Sequence, residues 1–383
     1  MLLTKGFEVE IYTGTPDGQV VGLSDCIVRD LSGFVREPDS RNVEYTTAPF
    51  CRYERLLCEL VQPRLRLRKY LNSLGNYTLI PGSTLSLGGS DRFYRSDPNN
   101  PYHDYIEKTY GTSVVTASIH INVGIEDPDV LMRACRLVRV EAPLYLALSA
   151  ASPFIEGKPT GHHSSRWYTF PKTPAHVPLF ESHRHYIDWT EAQLAAGTMQ
   201  NVRHLWDSVR PNGDRRPYQL NRLELRICDL VTDPISLLAI TALLEARIMQ
   251  VMAMPTLDPL QLSQLPSASR ADDLVALTNE NELAAAHSSL NATLRRWQDG
   301  KPVSAREWIQ DLYRQVWPMA KSEGISCFLL PIQSLLKRGN EALQWLDHYE
   351  ELQSAQAVLQ QSIQAMIQQE HLLEDQLCQQ LVA

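Results

Sequence analysis

The chain has 383 residues, a formal net charge of −8 and a pI near 5.8. That acidic balance argues against an electrostatic nucleic-acid binder, while ATP stays open because a metal and a few arginines supply local positive charge. With 44% hydrophobic and 21% charged residues, the composition is that of a soluble globular protein with one large core and room for an appendage. Seven scattered cysteines (Cys26, Cys51, Cys58, Cys135, Cys228, Cys327, Cys378) form no Cys-x-x-Cys pair, which predicts reduced thiols rather than a disulfide framework or a zinc site. The stretch Met1–Glu8 reaches charge too soon for a secretory signal, and no apolar run approaches membrane-spanning length. A cytoplasmic protein with no membrane partner is expected.

The first clear strand is Gly6–Tyr12. Phe7, Val9 and Ile11 point one way and Glu8 and Glu10 the other, with the two carboxylates about 7 Å apart along one face. Thr13–Gly18 reads as a turn, Val20–Leu23 as a returning strand and Phe34–Asp39 as a loop. Asn42–Thr47 is the next strand, with Glu44 and Thr46 on one face. Tyr53–Leu74 is an apolar-periodic segment interrupted by Pro63, and its Arg64–Lys69 run reads as the solvated basic side of an amphipathic helix. Cys51 and Cys58, seven residues apart, would share a face if that helix reached both.

Residues 78–104 lack periodicity and collect Gly, Pro, Ser and Asn; a phosphate-cradling or lid role suits such a loop, although it has no P-loop ending. The strand within Val114–Gly124 places Ile119, Ile121 and Val123 on one face and Ser118, His120 and Asn122 on the other. Pro128–Ala151 is helical and runs into a polar loop, Ser152–Arg166, where His162 and His163 read as loop residues. Short helical pieces are expected at Trp189–Gly197 and Arg203–Val209. In Asn221–Asp229, Leu223, Leu225 and Ile227 face the core while Glu224, Arg226 and Cys228 face away; Asp233-Pro234 then starts a buried helix over 235–254. From about residue 270 the pattern is helical: 271–299, 304–320 and 340–383. The last is Gln-rich, with Leu352, Ala355, Leu359, Ile363, Met366, Leu373 and Leu377 at helical spacing, which suits a helix on the body or paired with one from a second copy, a homodimer. Two units follow: a catalytic domain, 1–339, and a C-terminal helical extension, 340–383.

Four strands thus share one property: an apolar face, and a second face carrying Glu8 and Glu10, Glu44, His120 and Asn122, or Glu224 and Arg226. In one sheet these would make a polar floor with helices packed on the apolar side. Carboxylates so gathered repel unless cations lie among them, and a nearly all-oxygen donor set suits Mg²⁺ or Mn²⁺ shared with nucleotide phosphates. Arg226 beside them is the natural clamp for a phosphoryl group.

The stretches Gly6-Phe7-Glu8-Val9-Glu10, Val43–Pro49, Leu223–Arg226 and, above all, Ser152-Pro153-Phe154-x-Glu156-Gly157-Lys158-Pro159-x-Gly161-x-x-Ser164-x-Arg166 resemble the glutamate–cysteine ligase family, most closely its cyanobacterial form. The resemblance runs in order over roughly residues 1–300 and leaves the final helix outside. It implies an α+β, glutamine-synthetase-like fold, a curved antiparallel sheet with helices on its apolar face. The implied reaction joins the γ-carboxylate of L-glutamate to the amine of L-cysteine through γ-glutamyl phosphate, with ATP as co-substrate, as the first step of glutathione biosynthesis. By the same resemblance Glu8, Glu10, Glu44 and Glu224 are metal ligands, joined by His120, where plant-type relatives carry an amide. Arg226 would steady the γ-phosphate, Arg166 would hold glutamate or the acyl phosphate, and Asn122 would touch substrate. Arg36 and Arg41 read as surface arginines. Two alternatives stay open: the same chemistry on another acceptor amine, and a non-catalytic metal-binding protein that dimerises through 340–383.

Overall fold

The computed structural model describes residues 2–265 and 269–382, with side chains as far as residue 376; the Leu377 and Cys378 side chains named above lie outside the described residues. Seven strands form one antiparallel sheet: Lys5–Gly14 (β1), Phe34–Arg36 (β2), Asn42–Thr46 (β3), Thr78–Ile80 (β4), Ile119–Gly124 (β5), Val209–Asn212 (β6) and Arg222–Leu225 (β7). Their order is β2-β3-β1-β5-β7-β6, and β4 adds to the far end of β1. The expected α+β architecture is the observed one. Register follows from alternation: Glu8 lies opposite His120, Glu10 opposite Glu44, and Glu224 opposite both Asn122 and Arg210. A slip of one residue would turn each of these polar groups into the core.

Behind the apolar face lie Tyr53–Leu74 (α1), Pro128–Ser149 (α3) and Pro234–Ala253 (α5), which with Phe7, Val9, Ile11, Ile119, Ile121 and Leu223 make one continuous core. Pro101–Tyr110 (α2), His183–Ala195 (α4) and Ala355–Val382 (α6) surround it, α6 packing on α1. Two of the central helices start alike. Asp127 accepts from the N–H of Asp129 and Val130, Asp233 from that of Ile235, and Pro128 and Pro234 open the first turns.

Several sequence expectations change. The α5 segment, 20 residues with a mean hydropathy of 1.6, does reach membrane-spanning length, but 89% of that window is buried inside the protein, where it is the central helix of the core. Pro63 does not interrupt α1. Nor is the basic side of α1 solvated throughout: Arg64 is buried against the Tyr45 hydroxyl and the Thr232 carbonyl, and Arg68 against Glu370 of α6 and Thr78 of β4. Val20 makes only an isolated bridge to Gly14, and a short helix, Ser24–Asp30, follows. Residues 293–295, within the expected 271–299 helix, instead form a strand that pairs with residues 302–304 just after it. Cys51 precedes α1, so it shares no helix face with Cys58.

Strand β1 is fastened to the helices by a buried charge pair. The Lys5 ammonium lies 2.9 Å from Glu245 of α5, both wholly buried, and Glu245 also accepts from the Tyr53 hydroxyl at 2.7 Å and the Leu3 N–H at 2.7 Å. Glu245→Ala would strand the Lys5 charge in the core, so it is expected to lower stability by ~3–5 kcal/mol in urea unfolding. A loss under ~1 kcal/mol would show the pair to be dispensable. Replacing both partners with Met and Leu is expected to restore most of the stability.

Candidate active site

The polar face of the sheet gathers two groups of three side chains, each with its ligand-type atoms within 4.8 Å of one another: Glu8, His120 and Glu224, and Glu10, Glu37 and Glu44. In the first group His120 is central. Its Nδ1 lies 2.9 Å from Glu8 and 3.6 Å from Glu224, and its Nε2 lies 3.2 Å from the Ser118 hydroxyl. Asn122 donates to Glu8 at 3.2 Å, and its own Oδ1 is buried without a partner. Glu224, wholly buried, receives Arg210 on both oxygens (2.7 and 3.0 Å), Asn212 at 2.6 Å and Arg226 at 2.6 Å. Burial alone would raise its carboxyl, but Arg210 and Arg226 hold it well below the usual range. Glu8 is pushed up by burial and by Glu224, yet the hydrogen bond and charge of His120, with Arg226, bring it out below its ordinary value.

The second group is balanced differently. Glu10 has the His120 Nε2 at 4.0 Å, while Glu37 and Glu44 are hydrogen-bonded to each other. Burial, then the charges of Glu10 and Glu44, pushes Glu37 well above the carboxylate range. Burial raises Glu44 to about 7, against the Glu37 hydrogen bond and with Glu8, Glu10 and Glu224 adding. Ser118 donates to Glu10 at 2.7 Å. Two carboxyls sharing a proton are the arrangement a divalent cation replaces, and an oxygen set with one imidazole and no thiol fits a hard cation in both groups.

The structure therefore brings Glu8, Glu10, Glu44, His120, Asn122, Glu224 and Arg226 onto one floor. Arg166 adjoins this floor. Its two Nη groups donate to the Arg226 and Ile227 carbonyls (3.1 and 3.2 Å), and its Nε is buried without a partner. Those carbonyls mark a bulge: Ile121 pairs with Leu225 but Ser118 with Asp229, three residues along one strand against four along the other. The extra residue corrects the expected facing of Cys228, which turns back to Ser149 of α3 and is buried, with its thiol pushed up to about 12 by burial. Asp229 then accepts from the Ala151 N–H and the Ser152 and Ser164 hydroxyls, tying down the Ser152–Arg166 loop. Arg41 is not a surface residue. It is buried against Asp39 and the Gly89 and Arg92 carbonyls, whereas Arg36 is exposed and pairs with Asp25.

Sequence reading alone misses Glu37, Arg210 and Asn212. Glu37 falls in an expected loop, yet Val35 pairs with Glu44, so strand parity carries Glu37 to the same face two residues on. Val209–Asn212 follows an expected helical piece but is a strand; its polar Arg210 and Asn212 alternating with Val209 and Pro211 are the signal, and Pro211 suits the edge position β6 occupies. At the Glu8–Asn122 end of the floor a cavity of about 900 Å³ opens, lined by Gly6, Thr46, Thr47 and Arg222 among others.

Fold and floor together define a glutamine-synthetase-like α+β protein with two acidic clusters on one sheet face. The chain matches Glutamate-cysteine ligase family 2 over residues 4–370, and it belongs to that family. A provisionally named glutamate–cysteine ligase 2 of Sorangium cellulosum is 29% identical over 248 residues, 64% of this chain and 62% of that protein. One from Rubrobacter xylanophilus is 26% identical over 354 residues, 89% of this chain and 88% of its own length. In the alignments to the Sorangium protein and to a Frankia alni relative, the chain thus spans only 62% and 55% of their lengths. Among solved structures, a bifunctional glutathione synthetase from Pasteurella multocida has a TM-score of 0.76 at 15% identity, covering 96% of this chain and 53% of that one. Glutamate–cysteine ligase from Francisella tularensis, in complex with AMP, has a TM-score of 0.72 at 12% identity, covering 99% and 93%. At such identities these two speak for the fold.

The titration of Glu44 gives a test in metal-free protein. Its folded carboxyl holds a proton up to about 7, against an ordinary value of 4.5, so its contribution to stability is fully present below 4.5 and lost as pH rises through about 7. Glu8 and Glu224, shifted down, stay ionised across that window, while half-buried His163 and buried His204, lowered to about 4, act in the opposite sense below 6.5 in both proteins. Chelator-treated wild type is therefore expected to lose melting temperature relative to Glu44→Gln between about pH 4.5 and 7, and saturating Mg²⁺ to recover most of the loss. Parallel pH profiles for the two proteins, with no Mg²⁺ effect, would count against the shared-proton site.

Proposed function

We propose that the chain is an ATP-dependent glutamate–cysteine ligase, which forms γ-glutamylcysteine, ADP and phosphate from L-glutamate, L-cysteine and ATP. The observation that carries the reading is the floor itself: two carboxylate groups side by side on one sheet face, edged by Arg226 and Arg210, in a member of this ligase family. Glu8, His120 and Glu224, and Glu10, Glu37 and Glu44, would hold magnesium or manganese, which when bound neutralises phosphate oxygens and draws them together. The cavity at the Glu8–Asn122 end is of a size for a nucleoside, and its position would aim the phosphates of ATP across the floor.

In this reading the γ-carboxylate oxygen of glutamate attacks the γ-phosphorus, and the bond from that phosphorus to ADP breaks. Charge builds on the transferring oxygens, where the Arg226 guanidinium, held in place by Glu224, is already aimed. The acceptor amine then attacks the acyl carbon, phosphate leaves with the C–O electron pair, and the amine gives up a proton. Arg166, through the two carbonyls it grips, would fix where Arg226 points, with its Nε as the donor left for a substrate oxygen. No nucleophilic side chain is needed, so the thiols of the chain need no part in the chemistry.

Mg²⁺-dependent ADP release should require glutamate and be greatest with L-cysteine among cysteine, 2-aminobutyrate, alanine and glycine, with the product confirmed by mass. Arg226→Ala is expected to lower kcat by ~100–1,000-fold with a smaller change in KM, as for a contact strongest in the transition state. Preference for another amine would move the function to a related carboxylate–amine ligation. Folded protein that releases no ADP with any acceptor would overturn the ligase reading.

A further inference from the structure

Residues 213–221 connect β6 to β7 in a tight excursion. A Cβ on Gly213 would lie 2.1 Å from the Gln219 carbonyl oxygen, and the Tyr218 and Gln219 N–H groups both donate to the Arg215 carbonyl. The tip is fastened to α4: His183 Nε2 lies 2.8 Å from the Pro217 carbonyl, and the Tyr218 hydroxyl donates to Glu191 at 2.8 Å. At this fixed tip stands Arg216, with Nη1 buried and without a hydrogen-bond partner. Arg64, Arg68, Arg139 and Arg166 also leave one guanidinium nitrogen unpartnered, but each satisfies others on carbonyls, hydroxyls or carboxylates. Arg216, among the described residues, has no hydrogen bond and no ion pair at all.

Its surroundings make the lack of a partner informative. Burial, then the charge of Arg210 and, further down, that of Arg226, lowers its affinity for its proton to about 10, so it remains charged at neutral pH. Glu224 is the carboxylate that acts on it, and Glu224 is already engaged on both oxygens by Arg210, Arg226 and Asn212. Arg210 and Arg226 also feel the charge of Glu8, so the Arg216 guanidinium is the one of the three that no carboxylate engages by hydrogen bond. A single carboxylate ligand would supply one charge and two oxygens. A phosphoryl group supplies about two charges and three oxygens, which suits planar, multi-donor arginines.

We propose that Arg216 completes, with Arg210 and Arg226, a seat for the terminal phosphoryl group of the nucleotide at the Glu224 edge of the sheet. The inference rests on the ligase reading above and adds a residue that neither the four polar strands nor the Ser152–Arg166 loop contains.

Calorimetric titration of the full chain with Mg²⁺ and a non-hydrolysable ATP analogue, ADP, AMP or inorganic phosphate separates the possibilities. Arg216→Gln is expected to weaken the analogue about tenfold, which is about 1.4 kcal/mol, and to leave AMP unchanged. Inorganic phosphate alone should bind wild type weakly and compete with the analogue but not with AMP. Should R216Q not fold, R216K carries the same test: it keeps a charge but loses the fork, so several-fold weaker analogue binding with unchanged AMP affinity is expected. Equal analogue affinity in variant and wild type, or an equal loss for analogue, ADP and AMP, overturns the inference while the ligase reading stands. Wild type that binds no nucleotide overturns both.

Discussion

Mutual repulsion of carboxylates on one sheet face is the constraint around which this structure is built. Two unit charges 4 Å apart interact by about 4 kcal/mol at the effective dielectric near a protein surface, and Glu8, Glu10, Glu37, Glu44 and Glu224 lie in two groups with ligand atoms at about that spacing. The fold answers the repulsion in two ways. Toward β7, Arg210, Arg226 and His120 bring positive charge to Glu224 and Glu8 and hold both carboxyls down. Toward β2 the His120 ring reaches only Glu10, at 4.0 Å, and Glu37 and Glu44 meet the repulsion by keeping a proton. A cation entering the second group displaces a proton, whereas one entering the first has to share oxygens with arginines. The two groups are therefore not equivalent, although alternation along the strands makes them look so.

Such a floor stays in place only if the backbone beneath it cannot relax. On one side the wholly buried Lys5–Glu245 pair ties β1, the strand that carries Glu8 and Glu10, to α1 and α5. On the other, the bulge after Leu225 would leave the Arg226 and Ile227 carbonyls turned away from the regular ladder, and Arg166 caps both. Asp229, a little further along the chain, draws in the Ser152–Arg166 loop through three hydrogen bonds. The loop that carries the most specific sequence pattern thus directs much of its polarity inward, onto the end of β7. Its tie to the floor runs through backbone geometry.

What sequence can reveal divides along the same physical lines. Strands β1, β3, β5 and β7 alternate because one face is core and the other is floor, so alternation assigns Glu8, Glu10, Glu44, His120 and Glu224 each to the polar face of its strand, and the single sheet makes those faces one surface. The helices α1, α3 and α5 are legible from apolar content and from the Asp-Pro starts of the last two. Short edge strands carry too few residues to display a period: β2 and β4 have three each, and β6 has four including a proline. With them go Glu37 and Arg210, the residues that decide how each carboxylate group is neutralised. The bulge is invisible for a related reason. One inserted residue reverses every side chain beyond it while leaving composition untouched, and so alternation puts Cys228 on the wrong face.

Buried arginines are the other blind spot, and they show where pattern reading stops. Arg41, Arg64 and Arg68 look like surface charges in sequence because nothing nearby announces a partner. Their partners are Asp39 with the Gly89 and Arg92 carbonyls, Tyr45 with the Thr232 carbonyl, and Glu370 with Thr78. All but Asp39 lie ten to several hundred residues away in the chain. A cation can be buried only where such partners converge, because the desolvation of an unpaired charge exceeds what packing returns. Every buried arginine here is therefore a statement about tertiary structure. Arg216, half-buried with one guanidinium nitrogen buried and unpartnered, departs from that pattern, which is why it carries the inference of a ligand.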